Sequence, residues 1–188
     1  TDEFRPKRLK AYKIPEKLKP EVDRQIKELL DLGFIYESKS PMASPLICVL
    51  KGPEGRDGVR CVMDYRFVNQ FTIPDPVVPP DMMTVMQRIG QSKYISTFDG
   101  RSSYHVIPVH PNHQWLTAFV HESLIYAWSR TPYGMRNSGS SFLRMIQHVL
   151  APIKTFTEAF VDDMAVCSET WNEHLKHIDL YLQTIQQS

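Results

Sequence analysis

The sequence predicts an α+β fold built on an antiparallel sheet. Three segments carry helical periodicity with start or stop signals. The strand candidates are short and fall in pairs that flank turn-rich or tight connections. The two kinds of segment interleave irregularly, which disfavours a doubly wound sheet.

The first helix spans about 20–32. Pro20 suits a first turn, Glu21 and Asp23 favour the positive end of the helix dipole, and Gly33 supplies the stop. Val22, Ile26, Leu29 and Leu30 form its apolar stripe. Residues 45–50 and 59–63 flank a Gly/Pro-rich stretch and read as a hairpin. Four prolines at 74, 76, 79 and 80 predict an extended boundary segment. Residues 94–98 form a strand that runs into Asp99, and 104–109 form the next strand. Residues 117–120 and 125–129 make a further pair, and a second helix spans 140–150, with Phe142, Met145, Ile146 and Val149 on one face. Residues 159–161 and 164–167 flank Asp162-Asp163. The third helix opens at Thr170-Trp171-Asn172-Glu173, a capping box. Trp171, Leu175, Ile178, Leu182 and Ile185 repeat along it, and that face is expected to be buried.

With 188 residues the chain can bury a core as about one domain with a smaller appendage. Apolar residues at 42% and charged residues at 23% exclude a disordered or collagen-like chain. No apolar run reaches the roughly 18–20 residues that span a bilayer, so no membrane partner is expected. Three well-separated cysteines argue against a disulfide framework and for a reducing compartment. Residue 1 is Thr and no signal peptide opens the chain, so the sequence reads as a piece of something longer. The formal charge of +1 gives no hint of a polyanion partner, yet it hides an asymmetry. Residues 1–70 carry 14 Lys/Arg against 11 Asp/Glu, whereas residues 71–188 carry 8 against 10. A basic front and an acidic back suit a protein that grips phosphate with one part and metal ions with another; a solvated basic arm is the plain alternative.

Asp162-Asp163 joins two apolar strands. Asp is ordinary turn chemistry, but adjacent carboxylates repel and a divalent cation removes that cost. Asp99 closes its own strand. If that strand lies beside the hairpin, three carboxylates converge on a place fit for magnesium. Two such ions can clamp the attacking and leaving oxygens of a phosphoryl transfer. His110/His113 and His174/His177 each show His-x-x-His, but neither has a third ligand at useful spacing, so zinc is not expected.

A set of ordered motifs carries a resemblance. Phe160-Val161-Asp162-Asp163 resembles the aromatic-x-Asp-Asp box of reverse transcriptases. The stretch from Asp99-Gly100-Arg101-Ser102-Ser103-Tyr104 to Val109 resembles their first aspartate motif, as found in gypsy-type LTR retrotransposons. Thr131-Pro132-Tyr133-Gly134-Met135-Arg136-Asn137-Ser138 is similar to that family's Pro-Phe-Gly-Leu-x-Asn motif, and Arg60-Cys61-Val62-Met63-Asp64-Tyr65-Arg66 with Asn69 to its fingers motif. Residues 38–45 and the Glu173-His174 region also match. The resemblance covers nearly the whole chain.

It implies the fingers and palm of a right-hand polymerase, with an antiparallel palm sheet and packed helices. Residues 1–73 and 108–136 would be fingers, and 74–107 and 137–188 palm, ending before a thumb. The implied activity is RNA- and DNA-templated DNA synthesis from deoxynucleoside triphosphates. Asp99 and Asp162 would be the principal ligands of two magnesium ions, replaceable by manganese, with Asp163 accessory and the Gly100 carbonyl assisting. Lys51, Arg60, Ser102, Ser103, Tyr104 and Tyr133 would bind the nucleotide, Tyr104 as a wall that excludes a 2′-hydroxyl. Arg66, Asn69, Gly134 and Arg136 would hold template and primer. The missing thumb and RNase H segments of a parent polyprotein are the implied partners. The implied setting is cytoplasmic, within virus-like particles. The sequence departs from the family at Gly52, Pro53, Gly100, Ser103, Val106, Gly139 and Leu143, and none of these departures removes a metal ligand. An inactive polymerase-like scaffold or nucleic-acid-binding module is the alternative function; another two-metal enzyme such as a nuclease leaves Tyr104 and the Pro132 motif without a purpose.

Overall fold

The computed structural model describes residues 3–52, 58–78, 80–100, 103–160 and 163–187. In chain order its elements are α1 (Lys19–Asp31), β1 (Ile35–Glu37), β2 (Ser44–Leu50), β3 (Val59–Met63), α2 (Arg66–Phe71), α3 (Met82–Gly90), β4 (Tyr94–Asp99), β5 (Phe119–His121), β6 (Leu124–Trp128), α4 (Ser138–Leu150), β7 (Thr157–Phe160), β8 (Asp163–Ser168) and α5 (Trp171–Gln186). They fall into two compact units: residues 1–74 with 104–138, and residues 75–103 with 139–188.

The first unit holds a five-stranded sheet in the order β1-β6-β5-β2-β3. All neighbours are antiparallel except β2 and β5, which run parallel. Helix α1 starts with Pro20 in its first turn, buries Val22 and Ile26, and gives way to Gly33 at φ +67°. That left-handed angle favours glycine and ends the helix. The core gathers Val22, Ile26, Leu46, Tyr65, Phe119 and Trp128. Tyr65 is fully buried, and its hydroxyl donates to Thr117 O at 2.7 Å, which meets the need of a buried phenol. Strand β3 ends the sheet. The Gln25 amide of α1 donates to Val59 O at 2.8 Å and accepts from Cys61 N at 3.3 Å, so it occupies two of the outward groups of that edge.

The second unit holds a three-stranded antiparallel sheet, β4-β8-β7. Helix α5 packs on β8 and β4, and α3 on β7. Phe98 stacks on Tyr181 with centroids 4.5 Å apart, and the Tyr181 hydroxyl reaches Met164 Sδ at 3.2 Å. Arg88 pairs with Glu158 at 2.8 Å and Arg144 with Asp75 at 2.6 Å. Burial pushes the Glu158 carboxyl up, and Arg88 opposes that shift.

Four expectations are corrected. Residues 104–109 are not a strand: Ser103–Val106 form a 3-10 turn, and Pro108 makes only an isolated bridge to Arg130. The bond from Ile107 N to Tyr104 O closes the turn, and Pro108 has no N–H to extend a ladder. Helices α2 and α3 stand where no helix was expected. Asp163 is not at the hairpin tip but opens β8, because it pairs with Phe160 on one side and Asp99 on the other. The expected apolar face of α5 is not buried: Trp171, Leu175 and Leu182 are 55%, 49% and 51% exposed. His174 sets the rotation of the helix instead. It is buried between Ser96 Oγ at 2.9 Å and Ser168 Oγ at 3.0 Å, and it carries the Tyr181 side of the helix onto the sheet.

Candidate active site

Strand β4 delivers Asp99 to one end of the three-stranded sheet, and β8 begins there with Asp163. The two are direct partners across the antiparallel pair. Residues so placed share a face, with Cβ atoms roughly 4.5–5.5 Å apart, and like charges there destabilise the pair. Both side chains are exposed, and among the described residues neither has a hydrogen bond or an ion pair. The strand-end neighbourhood asked of Asp99 is therefore met, across 64 positions of sequence (163 − 99). Asp162, the other expected principal ligand, lies outside the described residues, as does Ser102. No cluster of three or more His, Cys, Asp or Glu placed to hold a metal occurs among the described residues, and Asp162 stands outside that count.

The donor set fits a hard divalent cation. Asp99 and Asp163 offer carboxylate oxygens. The Gly100 carbonyl accepts one bond, from Ser103 N at 3.3 Å, and keeps a second lone pair. Oxygen donors are what magnesium and calcium take; softer zinc sites prefer nitrogen and sulfur. The His174/His177 pair is otherwise engaged. Ser168 Oγ meets Nδ1 of both rings, at 3.0 and 2.8 Å, and His177 lies flat on Phe156 at 3.9 Å.

The remaining candidates are carried by the first unit, apart from Ser103, which is buried in the second. On the β2–β3 hairpin, Arg60 faces Val49, and Lys51 N donates to Gly58 O at 2.8 Å. Strand alternation puts Arg60 and Lys51 on one face, both exposed, where two cations can share one polyphosphate. Tyr104 is half-buried, with its ring 4.7 Å from that of Tyr133. His105 locks this pair from behind. It is buried, stacked on Trp128 at 4.9 Å and edge-on to Tyr133 at 5.1 Å, and its Nδ1 donates to Thr131 O at 3.0 Å. Burial holds the His105 imidazolium below its usual range.

Asn69, Gly134 and Arg136 are brought together. Asn69 Nδ2 donates to Gly134 O and Asn69 Oδ1 accepts from Arg136 N, both at 2.8 Å. Arg136 Nη1 adds bonds to Asn69 O and Thr72 O at 3.3 Å. Gly134 sits at φ +90°, and a Cβ there would meet only ordinary contacts, so backbone angle rather than room calls for glycine. Arg66 stands apart from that clasp, bound to Asp64. Its Nε donates to Oδ1 at 2.8 Å and its Nη2 to Oδ2 at 2.6 Å. Asp64 also accepts from Arg66 N at 3.2 Å and Tyr12 Oη at 3.0 Å. The Arg66 guanidinium holds the Asp64 carboxyl at about 2, although burial works the other way. Sequence reasoning gave Asp64 and Tyr12 no role. The Asp-x-Arg spacing was a visible signal for the first; nothing local marked the second.

The fold belongs to template-copying polymerases of the right-hand kind. The foamy viral protease-reverse transcriptase in complex with double-stranded DNA superposes with a TM-score of 0.88 at 29% identity, over 98% of this chain and 32% of that one. Its complex with an RNA/DNA hybrid gives 0.88 at 28% identity, over 98% and 24%. Residues 49–188 match the family described as reverse transcriptase (RNA-dependent DNA polymerase), and the chain belongs to that family. It is 35% identical over 182 residues to the retrovirus-related Pol polyprotein from transposon opus of Drosophila melanogaster, covering 95% of this chain and 18% of that protein. It is 34% identical to the enzymatic polyprotein of cauliflower mosaic virus (strain D/H), over 95% of this chain and 27% of that protein. The chain thus spans well under a third of the length of these two relatives. Family members use divalent metal ions. No helix among the described residues is long and apolar enough to cross a membrane.

Proposed function

We propose that the chain is the fingers and palm of an RNA- and DNA-templated DNA polymerase, the fingers being residues 1–73 and 108–136 and the palm 74–107 and 137–188. The observation that carries this reading is the Asp99–Asp163 pair: two carboxylates facing each other at a sheet end without partners among the described residues, in a chain of the reverse transcriptase family.

Asp99, Asp162 and Asp163, with the Gly100 carbonyl, would hold two magnesium ions, or manganese in their place. Such ions supply charge neutralisation at phosphate oxygens and ease deprotonation of the attacking hydroxyl. The primer 3′-oxygen bonds to the α-phosphorus of a deoxynucleoside triphosphate, the bond from that phosphorus to the bridging oxygen breaks, and pyrophosphate leaves. The hydroxyl proton goes to solvent. Positioning falls to the chain, as in phosphoryl transfer generally. Arg60 and Lys51 hold the triphosphate, Ser102 and Ser103 belong to the nucleotide motif, and Tyr104 braced by Tyr133 excludes a 2′-hydroxyl. Arg66, Asn69, Gly134 and Arg136 hold template and primer without reading sequence. RNA or DNA template, primer and the thumb and RNase H segments of a parent polyprotein are the partners, in the cytoplasm within virus-like particles.

The test is primer extension on poly(rA)/oligo(dT) with magnesium, using the chain lengthened to match its relatives, beside Asp99→Asn and Asp162→Asn. Extension by the unsubstituted protein and its loss in both variants is expected. Full extension by either variant removes that residue from the metal site. Extension by none moves the reading to a polymerase-like scaffold.

A further inference from the structure

Arg66 is 79% exposed as a side chain while its carboxylate partner is 8% exposed. The pairing is one-sided. Asp64 takes the Nε/Nη2 edge of the guanidinium, the Tyr12 hydroxyl also lies beside the guanidinium, and Nη1 makes no hydrogen bond among the described residues. A guanidinium has two such edges, and either can meet two oxygens of a phosphate at once. Asp64 is itself fixed at both oxygens, Oδ1 by Arg66 N and Nε, Oδ2 by Arg66 Nη2 and the Tyr12 hydroxyl. Among the described residues, Tyr12 is the one donor to Asp64 from outside the 64–66 segment. It belongs to a basic arm that is firmly laid on the first unit. Leu9 N donates to Ala43 O at 2.8 Å, and the Arg8 guanidinium grips Ser40 O at 3.0 and 3.2 Å. Phe4 packs edge-on against Phe71 at 5.5 Å, and Lys7 lies 4.5 Å over the Phe67 ring. Both rings are on α2, the helix that Arg66 begins.

We propose that Tyr12 is a positioning residue for template binding: through the buried Asp64, and from beside the guanidinium itself, it holds Arg66 with Nη1 left for one backbone phosphate. The inference rests on the reading of Arg66 as a template contact. It deepens that reading by assigning the amino-terminal arm a part in the grip. An arm that served only to cover apolar surface would use the Phe4 ring and leave the phenol idle.

Two measurements on the full chain separate the inference from the reading beneath it. The first needs no nucleic acid: solvent exchange of the Arg66 Nε–H, followed by NMR, in the unsubstituted protein and Tyr12→Phe. Faster exchange in the variant, by about two- to tenfold, matches the weight of one net hydrogen bond. Unchanged exchange overturns the inference whatever Arg66 binds. The second is the affinity for a DNA duplex with a single-stranded template overhang, across a salt series, for Tyr12→Phe, Arg66→Ala and the double variant. Arg66→Ala is expected to flatten the slope of log affinity against log salt by about 0.7–0.9, one phosphate's worth. Tyr12→Phe should weaken binding about two- to tenfold and add nothing in the Arg66→Ala background. Equal losses from Tyr12→Phe in both backgrounds overturn the coupling. An unchanged slope in Arg66→Ala, or no binding by the unsubstituted chain, overturns the reading of Arg66 and the inference with it.

Discussion

The β4–β8 pair has two ends that treat polar groups in opposite ways. At one end, Ser96, Ser168, His174 and His177 are joined in a continuous hydrogen-bonded chain, and Thr170 and Glu173 close a capping box on the helix above. At the other, Asp99 and Asp163 face each other without partners among the described residues. The sheet is the same and polar side chains stand at both ends, so the secondary structure does not require the difference. A group satisfied inside the protein holds the structure still; a group left unsatisfied at a strand end keeps its bonding capacity for something that arrives. Asp64 extends the contrast, since it is a carboxylate with four donors around it.

The largest effect should come from the open end. Asp99→Asn is expected to lower primer extension by about 10³-fold, the order of a lost metal contribution. Without metal the same change should leave thermal stability equal or slightly higher, because a like-charge pair has been relieved. Magnesium should raise the melting temperature of the unsubstituted chain and not of the variant. A clear loss of metal-free stability in Asp99→Asn would break the contrast between the two ends.

His174→Ala strikes the closed end. It takes from Ser96 its hydroxyl partner, leaves Ser168 with His177 alone and opens a space under α5, so a loss of about 3 kcal/mol in urea unfolding is expected. The Asp64 carboxyl gives the next effect, read by acid titration of stability. Its folded value, about 2, lies below the ordinary 3.8, so its stabilisation is complete above about pH 4. It is lost as the pH falls towards 2, and Asp64→Asn should erase that portion, on the order of 2 kcal/mol. Thr170→Ala gives the smallest effect, about 1 kcal/mol, the usual cost of a lost cap.

Local chemistry was easy to read from the sequence. The hairpin of β2 and β3 was marked by its turn-rich connection, α1 by Pro20 and Gly33, and α5 by its capping box. Asp99 was legible as a strand end, but its meeting with Asp163 depends on β4 lying beside β8, which no local signal encodes. Helix α3 had a signal that went unused. Met82, Val85, Met86 and Ile89 repeat at helical spacing after Asp81, whose side chain caps Thr84 N, but the neighbouring prolines drew the reading to a loop. Helix α2 is one turn and a half, too short for periodicity to show. The α5 stripe misled because apolar spacing reports a face that can be buried. The face chosen was set by His174, a polar residue whose hold on two serines comes from other strands.

Gln25 has a consequence for how the protein behaves in company. The last strand of a sheet shows unpaired amides and carbonyls and invites a stranger's strand to join. Here one side-chain amide, offered by α1, answers both the Val59 carbonyl and the Cys61 amide. Shortening that one side chain should bare both groups and raise the chain's tendency to pair edge to edge with another strand.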